Sequence, residues 1–110
     1  MGLGFRSVTL TLTNTGQAQN LLTLIAAVTG YANAQDGCHY ISLRGDDSLS
    51  GGQYIYVGDA NVSSSSYATR LGQADWYPIA PGFRFGISLS DVYILPSAGG
   101  IELDVAWSES

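Results

Sequence analysis

The sequence predicts an all-β protein: a single β-sandwich or jelly-roll-like domain with one short helix at about residues 20–29. Short β-prone runs recur at intervals of about 8–12 residues with turn residues between them, which is typical of sandwiches and barrels. The chain has 110 residues, of which 45% are hydrophobic, enough for one core. Residues 1–110 are therefore expected to form one domain, with residues 1–6 as an N-terminal arm available for contacts.

The first strand is predicted at residues 5–13 because apolar and polar residues alternate there without a break. Val8, Leu10 and Leu12 fall on one face, and threonines fall on the other. This pattern is typical of a half-buried strand.

The helix is predicted because apolar residues recur at helical spacing in residues 20–29. Asn20 is suited to the N-cap position of this helix, and Gly30 is suited to terminate it. A helix this short is stable only when it packs, so we expect it to cover one sheet.

The rest of the chain alternates short β-prone runs with turns. Residues 45–52 read as a turn-rich loop, and the four serines at 63–66 as a connection that needs no fixed structure. The prolines are expected at strand ends or edges, where a missing N–H is harmless. The further strands are predicted at residues 38–44, 53–57, 67–71, 76–79, 83–88, 92–95 and 101–107.

Charge excludes several classes of function. Charged residues make up 12% of the chain, about half the usual fraction of roughly 25%, and the formal net charge is −5. All four basic residues are arginines, and they are scattered rather than clustered: Arg6, Arg44, Arg70 and Arg84. Binding to nucleic acid is therefore not expected.

The sequence also lacks the signals of membrane insertion and export. The longest apolar run, residues 21–28, is far shorter than the roughly 20 residues that span a bilayer. It has neither the position nor the basic flank of a signal peptide. We expect no membrane partner and synthesis in a reducing cytoplasm.

The residues available for catalysis are few, so we expect no enzyme, no catalytic residues and no cofactor. Cys38 and His39 are single and adjacent, and neighbours in a strand point to opposite faces. Cys38 is expected to be a small buried hydrophobe. A zinc site needs several Cys or His ligands, so no metal site is expected.

Residues 59–63 superficially resemble the opening of a calcium loop. The sixth position of that loop is Ser64 instead of Gly, and the twelfth is Arg70 instead of Glu. A tight turn in which Asp59 and Asn61 bond to nearby backbone is the better interpretation, with a calcium ion as the alternative.

Two pairs of aromatic residues, Tyr54 with Tyr56 and Trp76 with Tyr77, admit two interpretations. They can stack on sugar rings, or they can fill a core or a subunit interface, where Tyr and Trp are enriched. We favour core and interface. Sparse charge also indicates a surface that is covered by neighbours, so self-association is expected.

The stretch YIYVGDANVS at residues 54–63, followed by YATRL at residues 67–71, resembles a recurring pattern in small structural proteins of tailed bacteriophages. Pro81-Gly82, the LSDVYI segment at residues 89–94 and the last predicted strand are similar to the rest of that pattern. So is the order of a VTLT strand, a Leu-rich helix and a YISL strand. The resemblance implies a virion protein that works by packing: a capsid decoration (cement) protein, a head-fibre base or a tail-associated protein.

From this resemblance we expect a capsid decoration protein on the outer surface of a phage head, made in the host cytoplasm. Its partners would be the major capsid protein and further copies of itself, as a homotrimer or homodimer. No small-molecule substrate is expected. Deleting residues 2–6 is expected to abolish capsid binding and leave the fold intact.

The alternative function is a carbohydrate-binding module, or a tail or head-fibre component, that uses the four aromatic residues above. The residues predicted to contact the capsid or a neighbouring subunit are Gly2, Leu3, Gly4, Phe5, Arg6, Arg44, Asp46 and Asp47.

Overall fold

Two antiparallel sheets form the protein, as the sequence predicts. The computed structural model describes residues 4–28, 30–32, 34, 37–79 and 87–109. The described elements are β1 (Gly4–Leu12), β2 (Gln19–Asn20), α1 (Leu21–Ala26), β3 (Gly37–Gly45), β4 (Ile55–Gly58), β5 (Thr69–Leu71), β6 (Trp76–Ile79), β7 (Ile87–Ser88), a 3-10 turn (Leu89–Asp91), β8 (Tyr93–Pro96) and β9 (Ile101–Glu109).

The strand order is that of a jelly roll. Sheet A has the order β1-β9-β3-β6, and β7 also pairs with β3, next to β6; sheet B has the order β2-β8-β4-β5. If β6 and β7 are taken as one interrupted strand, each sheet has four strands. Two such sheets with this order are the double-sheet jelly-roll arrangement.

The core lies between the inner faces of the two sheets. Strand β9 runs through the middle of sheet A, and its alternate residues Ile101, Leu103, Val105 and Trp107 are buried. They belong to one cluster with buried residues of sheet B such as Ile55. The period-2 alternation of each strand therefore places the apolar set inside and the polar set outside.

The helix covers one end of this core, and the predicted cap is confirmed. The side-chain oxygen of Asn20 accepts a hydrogen bond from the backbone N–H of Thr23 at 2.8 Å. Leu21 and Ile25 are fully buried. The helix ends at Ala26, earlier than predicted. In the described part of the chain, no helix is long and apolar enough to cross a membrane.

The serine run at residues 63–66 differs from its prediction. Ser63 and Ser66 form a β-bridge, in which the N–H of each donates to the carbonyl of the other, at 2.8 and 3.3 Å. The hydroxyl of Ser63 also accepts the backbone N–H of Ser65 at 3.3 Å, so this connection has a defined turn that the sequence pattern did not require.

The prediction for the N-terminal arm also needs correction. Residues 4–6 belong to β1 and pair with the end of β9, from Gly4 opposite Glu109 to Arg6 opposite Trp107. The guanidinium of Arg6 lies 4.8 Å from the ring centre of Tyr31. A deletion of residues 2–6 would therefore remove part of sheet A. Gly2 and Leu3 lie outside the described residues, as does the side chain of Phe5.

Candidate binding surfaces on the two outer faces

The outer faces of the two sheets have different chemistry. On sheet A the outward positions are mainly Ser, Thr and charged residues, with an exposed Trp76 at one side. On sheet B they are mainly tyrosines. Because both faces point away from the core, their side chains are free to bind partners.

We call the outward side chains of sheet B the tyrosine face. Strand register places Tyr56 on β4 directly opposite Leu95 on β8 and Arg70 on β5. Two residues further along the same two strands, Tyr93 on β8 lies opposite Gly58 on β4. The tyrosine face consists of Tyr54, Tyr56, Tyr67, Tyr93, Leu95 and Arg70.

Ring contacts hold the tyrosine face in place. The Arg70 guanidinium lies 4.2 Å from the ring centre of Tyr54. The rings of Tyr56 and Tyr67 are 5.1 Å apart and tilted by 44°. Tyr67 remains 42% exposed. Fixed tyrosines around one arginine match the composition that is enriched at the centres of protein interfaces.

A shallow groove crosses the outer face of sheet A, and we call it the Trp76 groove. Its volume is about 460 Å³. The small side chain of Ala106 lies on β9 between Ser7 of β1 and Ser42 of β3 in the strand register. The groove is lined by Ser7, Val8, Thr9, Ser42, Arg44, Trp76, Asp104, Val105 and Ala106.

Ion pairs fix the polar groups of the Trp76 groove. The Arg44 guanidinium donates to Oδ2 of Asp104 at 2.9 Å and to Oδ1 of Asp47 at 2.6 Å. The hydroxyl of Thr9 donates to the other oxygen of Asp104, also at 2.9 Å. These three contacts join β1, β9, β3 and the following loop.

The carboxyl groups at this end of sheet A influence one another. Partial burial, together with a hydrogen bond shared with Asp46, raises the pKa of Asp104 above its ordinary value of 3.8. The pKa of Asp46 is lowered, mainly because its carboxylate accepts the backbone N–H of Ser48. The nearby Asp47 carboxylate raises the pKa of Arg44, which stays charged.

The four predicted aromatic residues do not share a surface. Tyr54 and Tyr56 lie on the tyrosine face, and Trp76 lies in the Trp76 groove on the opposite sheet. Tyr77 follows Trp76 in β6 and faces inward, where it packs against the core and lines a cavity of about 450 Å³ with residues of sheet B such as Val57. Their separation follows from strand alternation.

The predicted contact residues Arg44, Asp46 and Asp47 do come together, through the ion pair above and a turn in which Asp46 accepts the N–H of Ser48 at 2.9 Å. Sequence reasoning missed Thr9, Asp104, Tyr67 and Tyr93. The signal for the tyrosines was their alternation with buried residues, whereas Asp104 meets Arg44 only through the pairing of β3 with β9.

The remaining predicted features are structural. Cys38, the single cysteine of the sequence, is buried as predicted. The side chain of His39 lies outside the described residues. Asp59 accepts the backbone N–H of Asn61 at 2.9 Å, which confirms its part in the predicted turn. Within the described ranges, no three His, Cys, Asp or Glu side chains are placed to hold a metal ion.

Comparison with known proteins adds no relative to this description. No family model matches the chain, and a search of curated proteins finds no significant match.

Proposed function

We propose that this protein is a structural subunit of a tailed-bacteriophage virion, a capsid decoration protein that self-associates and binds the outer surface of the head. The tyrosine face is the observation that carries the assembly part of this proposal. The sequence pattern that resembles small structural proteins of tailed phages supports the assignment to a virion. By analogy, the jelly roll also supports it, because viral capsid domains often have this fold, although a fold alone does not define a function.

The tyrosine face suits contacts between copies of the chain. Its single charged group, Arg70, is held over the ring of Tyr54, and a carboxylate of the neighbouring copy or water at the rim would pair with its charge when the face is covered. Tyr67 is the most exposed tyrosine in the set, and tyrosine is enriched among the few interface residues whose truncation costs about 2 kcal/mol or more.

The size of the tyrosine face favours many weak contacts over one strong contact. The three strands that carry this face lie about 4.8 Å apart, and with about four residues of 3.3 Å each they cover roughly 190 Å² in projection. A stable interface usually buries about 800 Å² per partner. A homotrimer or homodimer that also contacts several capsomers would gain the missing affinity through multivalency. The loop after Arg44 is the proposed contact with the shell.

The test uses heads of the encoding phage that were assembled without this protein. Purified protein is mixed with these heads, and binding is measured by co-sedimentation. We expect the wild type to bind to saturation and Tyr67→Ala to bind at least tenfold more weakly, because a weakened oligomer loses multivalent contact. Thr15→Ala, at an exposed position outside both the tyrosine face and the loop after Arg44, is the control and should bind like the wild type. Failure of the wild type to bind these heads would overturn the proposal.

A further inference from the structure

We propose that the Trp76 groove is a binding site for a neutral carbohydrate, in which a pyranose ring stacks on the indole of Trp76. This inference is independent of the proposed self-association, because the groove lies on sheet A and the tyrosine face on sheet B. It adds a ligand to a protein whose other contacts are with proteins.

Trp76 is both exposed and fixed, which is the first requirement for a stacking platform. Its side chain is 60% exposed, yet its ring N–H donates to the hydroxyl of Ser42 on the neighbouring strand. Holding the nitrogen edge leaves much of the ring surface open above the groove. An indole face carries partial negative charge and attracts the C–H groups of a sugar ring.

The polar groups beside Trp76 match the hydroxyls of such a ring. Asp104 presents a carboxylate that accepts hydrogen bonds, and Arg44 presents a guanidinium that donates them. Both are held by the contacts described above, so a ligand meets groups that are already oriented and loses less entropy on binding. Thr9 and Ser7 add hydroxyls on the β1 side.

The floor and size of the groove suit one or two sugar rings. Ala106 is the outward residue of β9 between Asp104 and Ser108, and its small side chain leaves space there. The volume of about 460 Å³ falls within the range of roughly 300–1,000 Å³ that is typical of ligand sites.

The charged residues in and beside the Trp76 groove favour a neutral sugar over an acidic one. Arg44 is the cation that lines the groove, and Asp104 and Asp47 already pair with it. Asp46 lies near Asp104 and adds a further negative charge, which also raises the pKa of Asp104. A uronic acid would therefore meet a surplus of negative charge, whereas an uncharged ring would not.

Tryptophan fluorescence gives a direct assay, because Trp107 is fully buried and only Trp76 can contact a ligand in solution. Wild-type protein would be titrated with cellohexaose, maltohexaose and polygalacturonate, and screened on an array of neutral bacterial surface glycans. We expect a saturable fluorescence change with a neutral glycan and none with polygalacturonate. No binding to any neutral glycan, or binding of polygalacturonate alone, would overturn the proposal.

Variants then locate the site by calorimetry with the neutral glycan that binds. Trp76→Ala should weaken binding at least tenfold, and Ala106→Leu should do the same by filling the floor while leaving the indole in place. Tyr67→Ala is the control on the other sheet and should bind normally. Retained affinity in a folded Ala106→Leu variant would contradict the assignment. Because Tyr67→Ala impairs assembly and Trp76→Ala impairs sugar binding, the two proposals can fail separately.

Discussion

Substitution of Gly45 by Ala tests the junction that positions both Arg44 and Trp76. Gly45 is the last residue of β3 and packs against bare backbone: a Cβ there would lie 2.0 Å from the carbonyl oxygen of Gly72. The surrounding turn is tied to it by two hydrogen bonds, from the Gly45 N–H to Asp75 O at 2.9 Å and from the Ala74 N–H to Gly45 O at 2.8 Å. Ordinary van der Waals contact between such a Cβ and a carbonyl oxygen needs roughly 3.4 Å. The backbones of Gly45 and Gly72 must therefore separate by more than 1 Å.

The expected loss of stability follows from these contacts. Two weakened hydrogen bonds cost about 1 kcal/mol each, and the overpacking costs about 1–3 kcal/mol, so Gly45→Ala should lower the free energy of unfolding by about 3–5 kcal/mol. That is a large share of the roughly 5–15 kcal/mol of a typical domain.

Urea unfolding, followed by tryptophan fluorescence, measures this loss. Gly51→Ala is a matched control in the loop that follows β3, because a Cβ at Gly51 meets no atom within 4 Å. Its unfolding free energy should stay within about 0.5 kcal/mol of the wild type. A Gly45→Ala protein as stable as Gly51→Ala would refute the described junction between β3 and β6.

Three further predictions concern the helix, the groove and the N-terminus. Asn20→Ala removes the helix cap and should lower the unfolding free energy by about 1 kcal/mol in urea titrations; an unchanged midpoint would contradict the cap. The pKa of Asp104 is raised in the folded state, so that state binds the proton more tightly than the unfolded chain, and the stability that Asp104 contributes should be lost as pH rises from about 3.8 through the raised pKa. Asp104→Asn should flatten that part of the pH profile of urea unfolding, and an equal slope in both proteins would contradict the raised pKa. Deleting residues 2–6 should lower the melting temperature in calorimetry, because residues 4–6 pair with β9; a melting temperature equal to that of the wild type would contradict this pairing.

Local sequence patterns were sufficient for the elements that depend on local interactions. The alternation around Val8 and Leu10 is confirmed as β1, and the cap by Asn20 is confirmed as well. Both follow from the fixed periods of strand and helix and from the chemistry of a nearby side chain. The short pair Gln19–Asn20 was not predicted as a strand, because two residues carry no detectable period.

The two binding surfaces could not be predicted from local sequence patterns, because they depend on which strands pair and in which register. Arg44 and Asp104 are sixty residues apart and meet because β3 lies beside β9 in one particular register. Trp76 and Tyr77 are adjacent in sequence, yet they lie on opposite faces of sheet A. The tyrosine face combines residues from β4, β5 and β8 with Tyr67, and their common face becomes visible only once the order of sheet B is known.

The native mass in solution tests self-association through the tyrosine face most directly. Light scattering behind size exclusion would be applied to the wild type, to Tyr67→Ala and to the Trp76→Ala control. We predict that the mass of the wild type and of Trp76→Ala rises with protein concentration from the monomer toward a dimer or trimer of the 11.6 kDa chain, and that Tyr67→Ala stays at the monomer mass. A wild-type protein that remains a monomer at all concentrations, or a Tyr67→Ala protein with the wild-type mass, would contradict self-association through this face.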